Sequence, residues 1–553
     1  MRSDRRSPSA ADGPSRRLAH YEGLFFDDFV ADSAWIRETA VVRLPPVAGA
    51  TEWVVRGEIH PHPEVRGLEA GTLGLALELD GRPVAALAAL SPGPFEVRFA
   101  GPAAATAGPR RLTLALRGAG MTNLLAWLGR VTSGWPGLAG WQRFRRQHKN
   151  RQLRISRIET AAGDIVFDFS NRQAPFAVAF ARRGVQLGFN LAGFLTADLG
   201  IGESARCMAR AADAAALPVA LIDLKLACKN RRGDLTFQDR LQDGHPYPVN
   251  VVHLDPPASR DLDHHHPGLR RGKYNIGYWA WELPEFPDAW LPACDYFDEI
   301  WCPSDFTREA IAFKVPLPVI TMPHALAFTA PAESPAALRA RFRLPAEPYL
   351  FLTLFDLNSY AERKNPAAVL AAFRQSGLAG AGAALVVKVQ NATGNPREMA
   401  ALEAAVQELP GTVLISQTLE RAEVYALEAA CDCFVSLHRA EGFGLAVAEC
   451  MRLGKPVIST DWSATAEFLH PGNGCPVRAP LVVLDRHHGP YARGQVWADP
   501  DPADAARWMR ALHADRALGA RLGAAAQATI KERFAPAVIG ARYRRRLEAI
   551  AGW

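Results

Sequence analysis

The chain is short of cysteine, with eight in 553 residues, and neither Cys431 with Cys433 nor any other pair has zinc-ribbon spacing. That excludes a disulfide-built scaffold and predicts reduced thiols in a cytosol. No run of about twenty apolar residues occurs, so no segment is predicted to span a bilayer as a helix. The opening residues, MRSDRRSPSAADGPSRR, lack the apolar stretch of a secretory signal, and positions 1–20 are expected to form a disordered tail. Charge of one sign is scarce as well. A net +6 is modest for this length, which speaks against a nucleic-acid partner and only weakly for a phosphorylated or membrane one.

What is present is ordinary for a globular protein, 49% hydrophobic and 22% charged residues, in a chain long enough for about three domains. Positions 21–178 hold short alternating runs such as TAVVRL, EWVVRGEI, FEVRFA, RLTLALR and LRISRIE, separated by Gly, Pro and turns such as Asp80-Gly81. Period-two alternation at that spacing predicts an antiparallel β-sandwich. Its insertion, at about 119–152, places Trp127, Trp135 and Trp141 ahead of Arg143, Arg145 and Arg146. Rings followed by clustered cations suit a bilayer interface, where each cation near anionic lipid contributes on the order of 1 kcal/mol. The expectation is peripheral contact with the cytoplasmic face of a membrane; a helical excursion packed on the protein is the alternative. Charge reversal at Arg143, Arg145 and Arg146 should release the protein from anionic liposomes, and unchanged pelleting removes the idea.

From 184 the pattern turns to strand, glycine loop, Ala-rich helix and strand, the start of a doubly wound α/β domain over 184–328. Gly200 and Gly202 open a G-x-G-x-x-A run, and Asp223 follows about twenty residues later, as in dinucleotide-binding proteins. An NAD(P)-dependent oxidoreductase is therefore one alternative. Against it, the preceding strand ends well before the first glycine. Polar and aromatic residues then gather after apolar strands, at the edge where open parallel sheets bind ligands: His253, and Trp279, Trp281 and Glu282 in GYWAWELPEFP. His264, His265 and His266 read as an exposed loop. An Ala- and Pro-rich connection at 329–348 precedes a second α/β domain at 349–534 and a terminal helix at 535–553.

The stretch HRAEGFGLAVAECMRLGKPVIST, 438–460, reads as loop, helix, turn and strand. Gly442 and Gly444 let main-chain N–H groups face outward where the helix begins, and such an N-terminus attracts anions. Glu441 stands beside that anion site. A ligand carrying both a diphosphate and hydroxyl groups reconciles the two.

Glu441 and Glu449, in Glu-x7-Glu spacing within EGFGLAVAE and followed by GKPVI, resemble the motif of retaining GT-B glycosyltransferases of family four. The resemblance implies two doubly wound Rossmann-like domains after the β-sandwich, and hexosyl transfer from a nucleotide diphosphate sugar to a polysaccharide or lipid-linked glycan, with retention and without a cofactor or metal. It places Glu441 at the donor sugar and Glu449 at the ribose or phosphates. Arg363 and Lys364, with Gly442, Phe443, Gly444 and Leu445, are implied at the donor diphosphate, and Gly200 and Gly202 lend it their backbone. His253 and Glu282 become polar groups at the reacting sugars, and Trp279 and Trp281 rings for the acceptor. DWSATAE and HAL depart from the family's glycine-containing turns and leave the donor sugar open. A catalytically silent glycan-binding scaffold is the other alternative.

Overall fold

The computed structural model describes residues 21–25, 34–44, 50–59, 74–88, 91, 93–101, 110–117, 153–163, 165–168 and 187–551 apart from 313 and 316. The 1–20 tail and the insertion bearing Trp127, Trp135, Trp141, Arg143, Arg145 and Arg146 lie outside the described residues.

Alternating side chains build the first region, with Ile36, Val42 and Leu44 of one strand packed on Val55, Leu77, Leu112, Leu114 and Ile155 of others. The strands are β1 (Tyr21–Phe25), β2 (Ala34–Leu44), β3 (Glu52–Ile59), β4 (Gly74–Leu79), β5 (Arg82–Leu87), β6 (Gly93–Ala100), β7 (Arg110–Arg117), β8 (Leu153–Thr160) and β9 (Ile165–Asp168). All pair antiparallel in one path, β5-β4-β7-β2-β8-β3-β6, with β1 added to β2 and β9 to β8. The end strands β5 and β6 also meet, so the sheet curls around its apolar face. Asp80 and Gly81 both take positive φ, 50° and 78°, in the two-residue turn joining β4 to β5.

Two parallel sheets follow. The first contains β10 (Phe189–Gly193), β11 (Val219–Asp223), β12 (Val249–His253), β13 (Tyr274–Tyr278), β14 (Glu299–Cys302) and β15 (Val319–Thr321), in the order β11-β10-β12-β13-β14-β15. The second contains β16 (Tyr349–Asp356), β17 (Ala383–Gln390), β18 (Thr412–Ile415), β19 (Cys433–Ser436), β20 (Val457–Thr460) and β21 (Cys475–Val477), in the order β18-β17-β16-β19-β20-β21. A hairpin, β22 (Leu481–Val483) and β23 (Val496–Ala498), stands apart. Central strands such as β12 and β13 are buried along their whole length, as expected where helices cover both faces. The architecture is thus two parallel-sheet α/β domains preceded by antiparallel strands.

Four helices position the cleft: α1 (Gly200–Ala214), α2 (Arg421–Ala430), α3 (Leu445–Arg452) and α4 (Pro536–Ala551). The last returns to the first domain and packs on α1. There Tyr543 stacks on Trp301 at 5.5 Å, and Arg546 bonds the buried Glu299 at 2.9 and 2.5 Å. No described helix is long and apolar enough to cross a membrane.

Candidate active site

The C-terminal ends of both parallel sheets open onto one cavity of about 590 Å³, a size suited to a small ligand. Its second-domain wall is built around the start of α3. Gly444 caps that helix in the left-handed region, φ 91°, and a Cβ there would also fall 2.5 Å from Thr465 Cγ2, so only glycine fits. The first helical bond runs from the Ala448 N–H to the Gly444 carbonyl. The N–H groups of Leu445, Ala446 and Val447 precede it, and all three residues line the cavity. This is an anion site by geometry.

Beside it stands a cluster of buried charges. Glu441 accepts from Lys364 and lies 3.3 Å from Arg363 Nη1, while its own N–H donates to Ser463 Oγ at 2.9 Å. Burial pushes the Glu441 carboxyl up, but Lys364 and Arg363 outweigh it and hold the group at about 2. Burial pulls the Lys364 ammonium below its ordinary value, against the pull of Glu441. Arg363 donates to the Ala440 carbonyl at 2.9 Å and lies 3.8 Å from Glu282, yet its buried Nε has no acceptor among the described residues. A buried N–H without an acceptor is a place for a ligand oxygen.

Glu449, eight residues on and one face of α3 away, is held differently. Its Oε1 accepts from Arg421 at the start of α2, and that guanidinium also lies 3.8 Å from Glu203 Oε2 on α1. Glu203 is bonded by Arg206 and Arg210, each at 2.8 Å. Burial raises Glu203, yet Arg421, Arg210 and Arg206 together hold it at about 2. Arg421 therefore ties the second domain's acid to the first domain's helix.

The first-domain wall is less charged. Asp255, just past β12, is reached by solvent but ringed by protein, and that enclosure with Glu282 raises its carboxyl to about 6. Glu282 accepts from Tyr491 Oη at 3.1 Å. Tyr491 belongs to the excursion between β22 and β23, so the second domain reaches across to the first. Gln495 of the same excursion donates to the Glu285 carbonyl at 3.3 Å.

Most residues singled out from the sequence line this cavity: Gly200, Glu282, Arg363, Lys364, Glu441, Gly442, Phe443, Gly444, Leu445 and Glu449. Four do not, and each is a correction. His253 is fully buried, stacked on Tyr278 at 4.1 Å, and burial drives its pKa well down; it does not reach the cavity. Trp279 and Trp281, 0% and 1% exposed, are core rings. Trp279 stacks on Phe286 at 5.5 Å, and Trp281 gives its N–H to the Glu285 carbonyl at 2.9 Å. Gly202 sits under the loop before α1, where a Cβ would come 2.6 Å from the Phe194 carbonyl oxygen, so its role is close packing. The dinucleotide pattern fails with it. Asp223 is bonded to Thr196, at 3.1 and 3.0 Å, and to Arg232 at 2.8 Å, and it does not line the cavity.

Asp255, Arg421 and His324 line the cavity without having been singled out. Asp255 stood at a strand end in VNVVHLDPP and Arg421 just after a strand in the second sheet, so position offered a signal for both. His324 was marked only through HAL, a departure from a glycine-containing turn, and a lone histidine after a short strand is more often structural.

Residues 338–528 match the family model described as glycosyl transferases group 1. No curated protein matches the chain. Among solved structures, Anabaena HepE in complex with UDP and glucose is similar at 14% identity, over 65% of this chain and 99% of that one, with a TM-score of 0.49. Sucrose-phosphate synthase from Thermosynechococcus elongatus is similar at 15% identity, over 65% and 98%, with a TM-score of 0.48.

Proposed function

We propose that this protein transfers a hexosyl unit from a nucleotide diphosphate sugar to a polysaccharide or lipid-linked glycan acceptor, with retention of configuration, in the cytoplasm or at its membrane face. One observation carries the reading: two cations, two carboxylates and the open start of α3 converge in the cavity between the parallel sheets. The match of residues 338–528 to glycosyl transferases group 1 supports it.

Each part has a task that follows from its chemistry. A diphosphate fits the N–H groups at the start of α3 together with Lys364 and Arg363. As the glycosidic bond breaks, the leaving diphosphate gains charge, so cations aimed at it stabilise the transition state more than the ground state. Glu441, held ionised, is an acceptor for sugar hydroxyls and has no proton to give. Glu449 has a second carboxylate oxygen beyond the one bonded by Arg421, and it suits the paired hydroxyls of a ribose. Bonds to such charged groups contribute about 1.5–3 kcal/mol each. Asp255 and Glu282, on the opposite wall, suit an acceptor hydroxyl. In this reading the chain needs no metal or cofactor.

The test is a thermal-shift and turnover panel of UDP-, GDP- and ADP-sugars. One base should stabilise the protein, and Lys364→Met should lower turnover by about 10²–10³-fold, the cost of removing one donor to a developing charge. Wild-type turnover in both Lys364→Met and Glu441→Gln would refute the site.

A further inference from the structure

Behind the first-domain wall, four side chains, from α1, β12, β13 and the segment after β15, form a continuous hydrogen-bond chain. His253 Nε2 meets the Met208 sulfur at 3.4 Å, and His253 Nδ1 meets Ser204 Oγ at 3.2 Å. Ser204 Oγ meets His324 Nδ1 at 3.2 Å, and Tyr278 Oη lies 3.1 Å from that same nitrogen and 2.8 Å from the Met322 carbonyl. All four side chains are buried.

Both ends of this chain are groups that can only accept, and that fixes where every proton lies. The Met322 carbonyl has no proton, so Tyr278 must donate to it, and the Tyr278 oxygen is then left to accept. The thioether of Met208 has no proton either, so the ring proton of the neutral His253 sits on Nε2. His253 Nδ1 is then bare and takes the Ser204 hydroxyl proton. With Ser204 and Tyr278 both committed, the only proton left for their contacts with His324 is its own, on Nδ1. The opposite arrangement would face lone pair against lone pair at each end, which a buried network does not tolerate. Burial keeps both rings neutral: it lowers His253 well below its ordinary value and His324 to about 3.

We propose that this chain locks His324 as the neutral ring protonated on Nδ1, so that its bare Nε2 faces the cavity as an acceptor reserved for a hydroxyl of the bound sugar. His324 lines the cavity against the edge of Phe443, at 4.7 Å, and its Nε2 has no partner among the described residues. A bare ring nitrogen repels a phosphate oxygen and takes an O–H. It therefore directs the diphosphate to the start of α3 and Lys364, and reads a hydroxyl on the sugar side. His253 becomes a positioning residue that sets the tautomer of His324 through Ser204.

The hydroxyl part rests on the transferase reading, whereas the proton placement does not, and the experiment separates them. Nitrogen-15 spectroscopy of the ligand-free, histidine-labelled protein reads both rings, His324 being assigned by its loss in His324→Gln. The expected result is a proton on Nδ1 of His324 and on Nε2 of His253; a proton on His324 Nε2 overturns the proposal. In turnover, His324→Leu should lower kcat/KM for the donor by about tenfold to a hundredfold, while His324→Gln, which keeps an oxygen acceptor, should stay within a few-fold of wild type. Equal kcat/KM in the Leu variant and wild type also overturns it. A wild-type protein that turns over no nucleotide sugar would refute the function proposed above, with the proton positions still decided by the ligand-free spectra.

Discussion

The two walls of the cavity solve the same problem with different means. The second-domain wall uses opposed charges, Glu441 with Lys364 and Arg363, and Glu449 with Arg421. The first-domain wall, beside Asp255 and Glu282, uses the neutral groups Ser204, Tyr278 and His324, backed by His253, with protons directed by accepting ends. Charge suits a group that must meet a diphosphate. A neutral, directed network suits recognition of a hydroxyl, because it specifies direction without attracting phosphate.

The sharpest break of that comparison lies in the aromatic residues packed behind the first-domain wall. Trp281 is core, so Trp281→Ala should cost about 3–5 kcal/mol of stability in urea unfolding, with acceptor KM unchanged in the folded fraction. A stable variant with raised acceptor KM would restore the ring to ligand binding. Next comes Arg421, which like Arg363 links the walls by charge. Arg421→Met leaves the buried Glu449 without its partner, while Glu203 keeps Arg206 and Arg210, so a loss of about 3 kcal/mol is expected, with weaker donor binding. Unchanged donor-induced thermal shifts would separate Arg421 from the site.

The third test is the acid limb of stability, where a ring held neutral and a carboxylate held ionised lose their contributions in different pH ranges. His324 has its pKa lowered from 6.5 to about 3, so protonation favours the unfolded chain, and its contribution is lost as pH falls from about 6.5 toward 3. Glu441 is lowered from 4.5 to about 2, so its contribution is complete above about 4.5 and is lost as pH falls toward 2. Stability followed against pH should decline in two stages, His324→Gln reducing the upper, which His253 and His438 share, and Glu441→Gln reducing the lower, which Glu203 shares. A single decline below 4.5 that His324→Gln does not alter would contradict the buried neutral ring.

The second-domain wall was largely legible in the sequence, and the first was not. Arg363, Lys364, Glu441 and Glu449 follow strand ends of one sheet, and loops at those ends converge whatever the packing behind them. GYWAWELPEFP resisted reading because β13 is buried along its whole length, and after it the buried Trp279 and Trp281 alternate with the partly buried Ala280 and Glu282. Large rings at such positions suit a core and a ligand platform equally. Glu282 reaches the cavity while its neighbours Trp279 and Trp281 do not.

The amino-acid sequence alone determined the antiparallel strands, through their period of two, the parallel α/β order, through strand, loop and helix in succession, and the acids and cations near α3, through local spacing. Tertiary structure decided which groups those acids and cations meet, and where the protons of two buried histidines lie. Arg421 finds Glu203, and Ser204 finds both His253 and His324, only when α1, β12 and the segment after β15 are packed together, since hydrogen bonds and ion pairs act over a few ångströms of space and take no account of distance along the chain.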